Sequence, residues 1–267
     1  ELLSATVGSP LPQVTAASSV NFEIGLDDNT LRADVSGELD LRDFGRLQPE
    51  LAGVDAFKGR FGAAFMKARD AFLAERFSFE LAADRGGPDR PAIRLDSLAP
   101  VNVATVPSSP VAKLVLAHLP IAWANPWPVA AGVQFEPAEF GGEWEVALAD
   151  KNTLVLSPMR ACVIEPVTFT PSPLPPGRFA FSPRLELSVT GVTLDVPDFL
   201  AESNAGERMS ARLAANYDFA SGAVGSHGHF EGVVPTIPLA VAADWVAKLA
   251  GQTLELNAFS LEGRAAN

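Results

Sequence analysis

The stretch "PELAGVDAFKGRFGAAFMKARDAFLA", residues 49–74, decides how the chain is read. Leu51, Val54, Phe57, Phe61, Phe65, Ala68 and Phe72 recur at spacings of three and four. At 100° per residue that spacing gathers them on one stripe about 120° wide. Arg60, Lys67 and Asp70 fall on the other side, and Pro49 is tolerated in a first turn. The spacing predicts a long amphipathic helix. Gly53, Gly59 and Gly62 weaken it by about 0.5–1 kcal/mol each unless another element packs closely there. The stripe of Phe57, Phe61, Phe65 and Phe72 has two readings: packing against a sheet, or a surface that takes a hydrophobic ligand.

Outward from this stretch the period changes to two. Val20, Phe22, Ile24 and Leu26 alternate with polar residues, a turn follows at residues 27–30, and Leu31, Ala33 and Val35 resume the alternation. This reads as a hairpin with one buried face, bent or bulged at Gly37 before Leu39 and Leu41. After the helical stretch, "RFSFELAAD" (76–84) and "PAIRLDSL" (91–98) alternate around the turn residues of "RGGPDR". "SSPVAKLVLAHLP" (108–120) predicts a short helix, with Ser109 as N-cap and Pro110 at the first helical position. Between residues 122 and 177 prolines interrupt short strands such as "GEWEVALAD" and "NTLVLSP"; "TPSPLPPG" (170–177) reads as a stiff connector or a polyproline II segment. The last third alternates again around a third helical pattern, "PLAVAADWVAKLAG" (238–251).

The expected fold class is therefore α+β, β-dominated: curved antiparallel sheets of hairpins packed on two or three amphipathic helices. Three parts are expected, residues 1–121, 122–177 and 178–267, with a single continuous domain as the other reading.

Composition narrows function. Hydrophobic residues make up 48% of the 267 and charged residues 19%, yet no run of about 18 apolar residues marks a membrane span. A formal charge of −12 repels polyanions, so nucleic acid is not an expected partner. One cysteine, Cys162 among apolar neighbours, reads as a buried inert thiol and fits both cytosolic and periplasmic compartments. The first residue, Glu1, suggests a processed or shortened chain.

Chemistry concentrates in "SGAVGSHGHFEG", residues 221–232. In a strand His227, His229 and Glu231 point to one side, where two imidazoles and a carboxylate could hold a metal ion. The pattern resembles in part the first cupin motif, but four residues separate Gly222 from His227 where that motif has five. Glu231 also follows His229 after a single residue, and Val233 and Val234 stand where the cupin glutamate would be. The plainer reading makes the trio the wet face of a strand, with Phe230 toward the core. "VGSHG" departs from the nucleophile elbow because Val224 replaces its first glycine, His118 reads as a hydrogen-bonded surface residue, and the Glu143/Glu145 pair as an exposed strand face. No phosphate-binding glycine loop is present, and no cofactor is expected.

"LRADVSGELDLRDF" (31–44), "LELSVTGVTLDVPDF" (185–199) and, more loosely, "LELNAFSLEG" (254–263) resemble the strand repeats of AsmA-like and TamB-like bacterial envelope proteins. The resemblance implies a curved antiparallel sheet whose apolar face holds lipid or a packed helix, at the periplasm or cell envelope, with no catalytic residues. The expectation is a non-enzymatic protein that binds a lipid-like hydrophobic molecule or assists envelope assembly. A structural subunit that binds a protein partner, and an enzyme whose site leaves no motif, are the alternatives.

Overall fold

The phenylalanine stripe folds as a hairpin, not a helix. In the computed structural model β3 (Ala56–Ala68) and β4 (Ala71–Ala83) pair antiparallel, from Ala68 opposite Ala71 to Phe57 opposite Ala83, with the register shifting between Ala64 and Phe65. Phe57, Phe61 and Phe65 are four apart. Four residues turn a helix through 400°, leaving the side chains about 40° out of line, and return a strand to the same face; this spacing satisfies both periods. Gly59 and Gly62, unfavourable in a helix, sit within β3.

The structure describes residues 15–27, 30–43, 56–68, 71–84, 90–121, 134–135, 138–167, 169–170, 177–203, 208–221, 224–234, 239–248 and 253–263. No α-helix occurs among them, so the α+β expectation is corrected to antiparallel β. The two shorter helical patterns are strands as well, β7 (Ala112–Pro120) and β18 (Leu239–Lys248). In β7, Leu114 and Leu116 share one face and Lys113 and Val115 the other, as the register against its neighbours shows. In β18 the helix propensity of an alanine-rich segment yields to strand partners on both sides.

The remaining strands are β1 (Thr15–Asp27), β2 (Thr30–Arg42), β5 (Ala92–Ser97), β6 (Val101–Asn102), β8 (Gln134–Phe135), β9 (Glu139–Asp150) and β10 (Thr153–Pro158). They continue with β11 (Cys162–Val167), β12 (Phe169–Thr170), β13 (Gly177–Phe181), β14 (Arg184–Ser188), β15 (Gly191–Ser203), β16 (Arg208–Asp218), β17 (Val224–Val234) and β19 (Thr253–Gly263). Hydrogen-bonded neighbours run as a meander β1–β2–β3–β4–β5–β7–β9–β10–β14–β15–β16–β17–β18–β19. β6 pairs beside β4, β13 joins β11 to β15, and β8 and β12 form a separate pair.

The hairpin turn at residues 27–30 lies where the alternation placed it, with Asp27 opposite Thr30. Residues 150–153 make another turn, in which the Asn152 amide donates to the Asp150 carboxylate at 2.7 Å. Gly37 marks no bulge: the register runs unbroken through it to Val20 on one side and Phe61 on the other.

Register separates the faces. Val20, Gly37, Phe61, Phe79, Leu95, Leu114 and Trp144 form one row across seven strands. One residue along, the row on the opposite face reads Ser19, Glu38, Arg60, Glu80, Arg94, Val115 and Glu143. Glu38, Arg60, Glu80 and Arg94 alternate in sign, so each charge faces its opposite across the strands. A slip of one residue would move Phe61 and Phe79 onto the charged face, and this fixes the register.

Candidate functional site

Among the described residues the apolar face is left uncovered over β1. On that face large apolar side chains are exposed on β1 and again at one or two positions on each of β2, β4, β10, β14 and β16. Between them Phe77, Leu95, Leu114, Leu148 and Leu156 pack against buried Val111, Ala112 and Val146, and Trp144 is buried. Val20, Phe22, Ile24 and Leu26 of β1 are 45%, 71%, 69% and 77% exposed, and Leu31, Phe72, Leu154, Leu187, Met209 and Tyr217 are exposed too. The register places these positions on one face of the sheet, but β5, β7 and β9, which lie between them, carry half-buried or buried side chains there.

The four phenylalanines take different places on it. Phe57 is buried and packs with Ala83, Leu41 and Leu81. Phe61 is half-buried and lies over Gly37, where a Cβ would collide with the Phe61 ring and the Ser19 carbonyl oxygen. Phe65 stacks on Phe72 with ring centroids 5.8 Å apart. Lys67 stands beside that pair, opposite Leu31 and Phe72. The residues that sequence reasoning missed are Val20, Phe22, Ile24 and Leu26: their alternation was visible, but alternation reports which residues share a face, and nothing in it says whether that face is covered.

The histidine segment lies on β17, and its polar side chains share the opposite, charged face. His229 and Glu231 come together, Nε2 to Oε1 at 3.2 Å. His227 is exposed and stands opposite Ala214, while His229 stands opposite Arg212. Among the described residues no three His, Cys, Asp or Glu side chains gather closely enough to hold a metal ion. The concave region at His229 and Glu231, about 470 Å³, is also lined by Asp198, Arg208, Ser210 and Arg212; two guanidinium groups there oppose a bound cation. The side chain of Phe230 lies outside the described residues.

Other candidate reactive groups are already engaged. Glu143 binds Lys113 Nζ at 2.6 Å and Arg160 Nη2 at 2.7 Å. Its hydrogen bond with Lys113, with Arg160 adding charge, holds its carboxyl below the usual carboxylate range, the reverse of what a general acid needs. His118 lies on β7 with φ 52°, its Nδ1 2.6 Å from Glu139 Oε2. Cys162 is 1% exposed, and burial pushes its thiol up to about 11, so no thiolate nucleophile exists near neutrality. Ser226 sits in mid-strand.

The Glu143 contacts predict a pH dependence. A carboxyl whose pKa falls on folding contributes stability that is complete above its unfolded value, near 4.5, and is lost as pH drops through the lower folded value. Urea midpoints measured from pH 6 to pH 3 should therefore fall less steeply below pH 4.5 in Glu143→Gln than in the parent. Parallel curves would show that the Lys113 and Arg160 contacts contribute nothing.

No helix among the described residues is long and apolar enough to cross a membrane. Comparison with family models, with curated proteins and with solved structures finds no match.

Proposed function

We propose that the chain is a non-enzymatic cell-envelope protein that binds a lipid-like hydrophobic ligand on the open apolar face of its sheet. The observation that carries this reading is the set of exposed apolar side chains on β1, where Val20, Phe22, Ile24 and Leu26 share one face. Covering a phenylalanine, isoleucine or leucine is worth about 1.5–3 kcal/mol, so leaving several in water is unfavourable unless something occupies the face. An acyl chain needs only apolar contact and no polar pocket, which suits a surface without convergent polar groups. The resemblance of "LRADVSGELDLRDF" and "LELSVTGVTLDVPDF" to envelope strand repeats supports the location.

Native mass spectrometry and solvent extraction of the protein purified without detergent test the reading. Bound lipid at near-stoichiometric amounts is expected. Phe22→Asp combined with Ile24→Asp, which places two charges on the exposed part of the face, should reduce loading about tenfold. Protein that emerges lipid-free and takes up no fluorescent fatty acid or phospholipid would sink the proposal.

A further inference from the structure

All thirteen residues of β1 are exposed, and among the described residues β1 hydrogen-bonds to β2 alone. A long edge with an apolar face, no lysine, no proline and no bulge, and two carboxylates as its only charges, lacks most of the usual devices that stop a further strand from adding. We propose that this edge takes β1 of a second copy of this chain, antiparallel and centred on Asn21, giving a two-fold symmetric dimer with one continuous sheet. The inference rests on the edge of β1 and is independent of what occupies the apolar face.

The strand is complementary to itself in this register, the one that uses its full length. Asn21 meets the partner's Asn21, Glu23 meets the partner's Ser19 and Asp27 the partner's Thr15, so neither carboxylate faces another. On the apolar face Phe22 lies opposite the partner's Val20, Ile24 opposite the partner's Ser18 and Leu26 opposite the partner's Ala16, a large side chain beside a smaller one at each step. Competing arrangements lose one of these features. Centring on Phe22 shortens the overlap, and centring on Glu23 sets two glutamates face to face. Pairing β1 with β19 of another copy brings Glu23 and Asp27 alongside Glu255 and Glu262 with no cation on either strand, and a head-to-tail contact of that kind does not close by two-fold symmetry.

Light scattering on the full chain at micromolar concentration should give twice the 28.1 kDa of one chain. Cysteine placement reads the register. At the two-fold axis paired Cα atoms stand about 4.5–5.5 Å apart, within disulfide reach. Asn21→Cys should therefore oxidise to a covalent dimer. Glu23→Cys should not, because its two copies lie four residues apart along the strand, about 13 Å. Cys162 is buried and does not compete. A monomer at every concentration overturns the proposal, and so does a dimer that cross-links through Glu23→Cys but not through Asn21→Cys.

Discussion

Gly37→Ala is expected to destabilise the protein by about 3 kcal/mol, read as a lowered urea midpoint with little change in slope. Glycine usually matters through backbone freedom, but Gly37 lies in a regular ladder, and what it provides is space. A methyl group there meets the Phe61 ring on one side and the Ser19 carbonyl oxygen on the other. The ring can swing away at the expense of its packing. The carbonyl belongs to β1, and moving it displaces that strand from β2. A second substitution separates the two contributions: Phe61→Leu in the Gly37→Ala background should restore part of the lost stability, and only part, because the clash with Ser19 persists. Full restoration would place the whole effect in the ring, and an unchanged midpoint for Gly37→Ala alone would refute the close approach.

The same contact shows what was legible in the sequence and what was not. The hairpin of β1 and β2 was readable because alternation with a period of two has no helical counterpart over ten residues, and the turn at 27–30 interrupts it sharply. Gly37 was noticed as an interruption, but its meaning depends on Phe61, 24 positions away in the chain and adjacent only once β3 is a strand. The β3 segment was ambiguous because Phe57, Phe61 and Phe65 are separated by four, the one short spacing that a helix and a strand both place on a single face. The residues that would have decided the matter, Gly59 and Gly62, disfavour a helix without specifying a strand. β7 and β18 show the reverse situation, short segments whose local propensity is overruled by hydrogen-bonding neighbours that the local sequence does not contain.

For the site the limit is different in kind. Parity places His227, His229 and Glu231 on one face, and the structure brings His229 to Glu231 while Arg212 stands across from the pair. Arg212 belongs to the neighbouring strand, so the charge that works against a cation was hidden from any local motif. Likewise the four β1 side chains announce an apolar face, and only the absence of a covering layer among the described residues turns that face from core into surface.

The largest single loss is expected at Trp144, in the part of the apolar face that is covered. Its ring is 2% exposed, and its indole Nε1 donates to the Pro183 carbonyl at 2.9 Å. Phe140 lies 6.1 Å away and stacks in turn on Phe181, which meets Phe199. The indole thus ties β9 to the chain between β13 and β14, the segment that covers the apolar face at this point. Trp144→Ala should destabilise by about 4 kcal/mol through lost burial and the cavity left behind. Trp144→Phe keeps most of the ring but leaves the Pro183 carbonyl without its donor, and should lose about 1–2 kcal/mol. Circular dichroism in urea reports both without relying on the tryptophan removed. Trp144→Ala should also broaden the transition, since β1–β10 and β13–β16 would unfold less as one unit once the indole bridge is gone. A Trp144→Ala protein with an unchanged, equally steep transition would mean that strand hydrogen bonds alone hold these two parts of the sheet together, and that the buried indole contributes neither stability nor cooperativity.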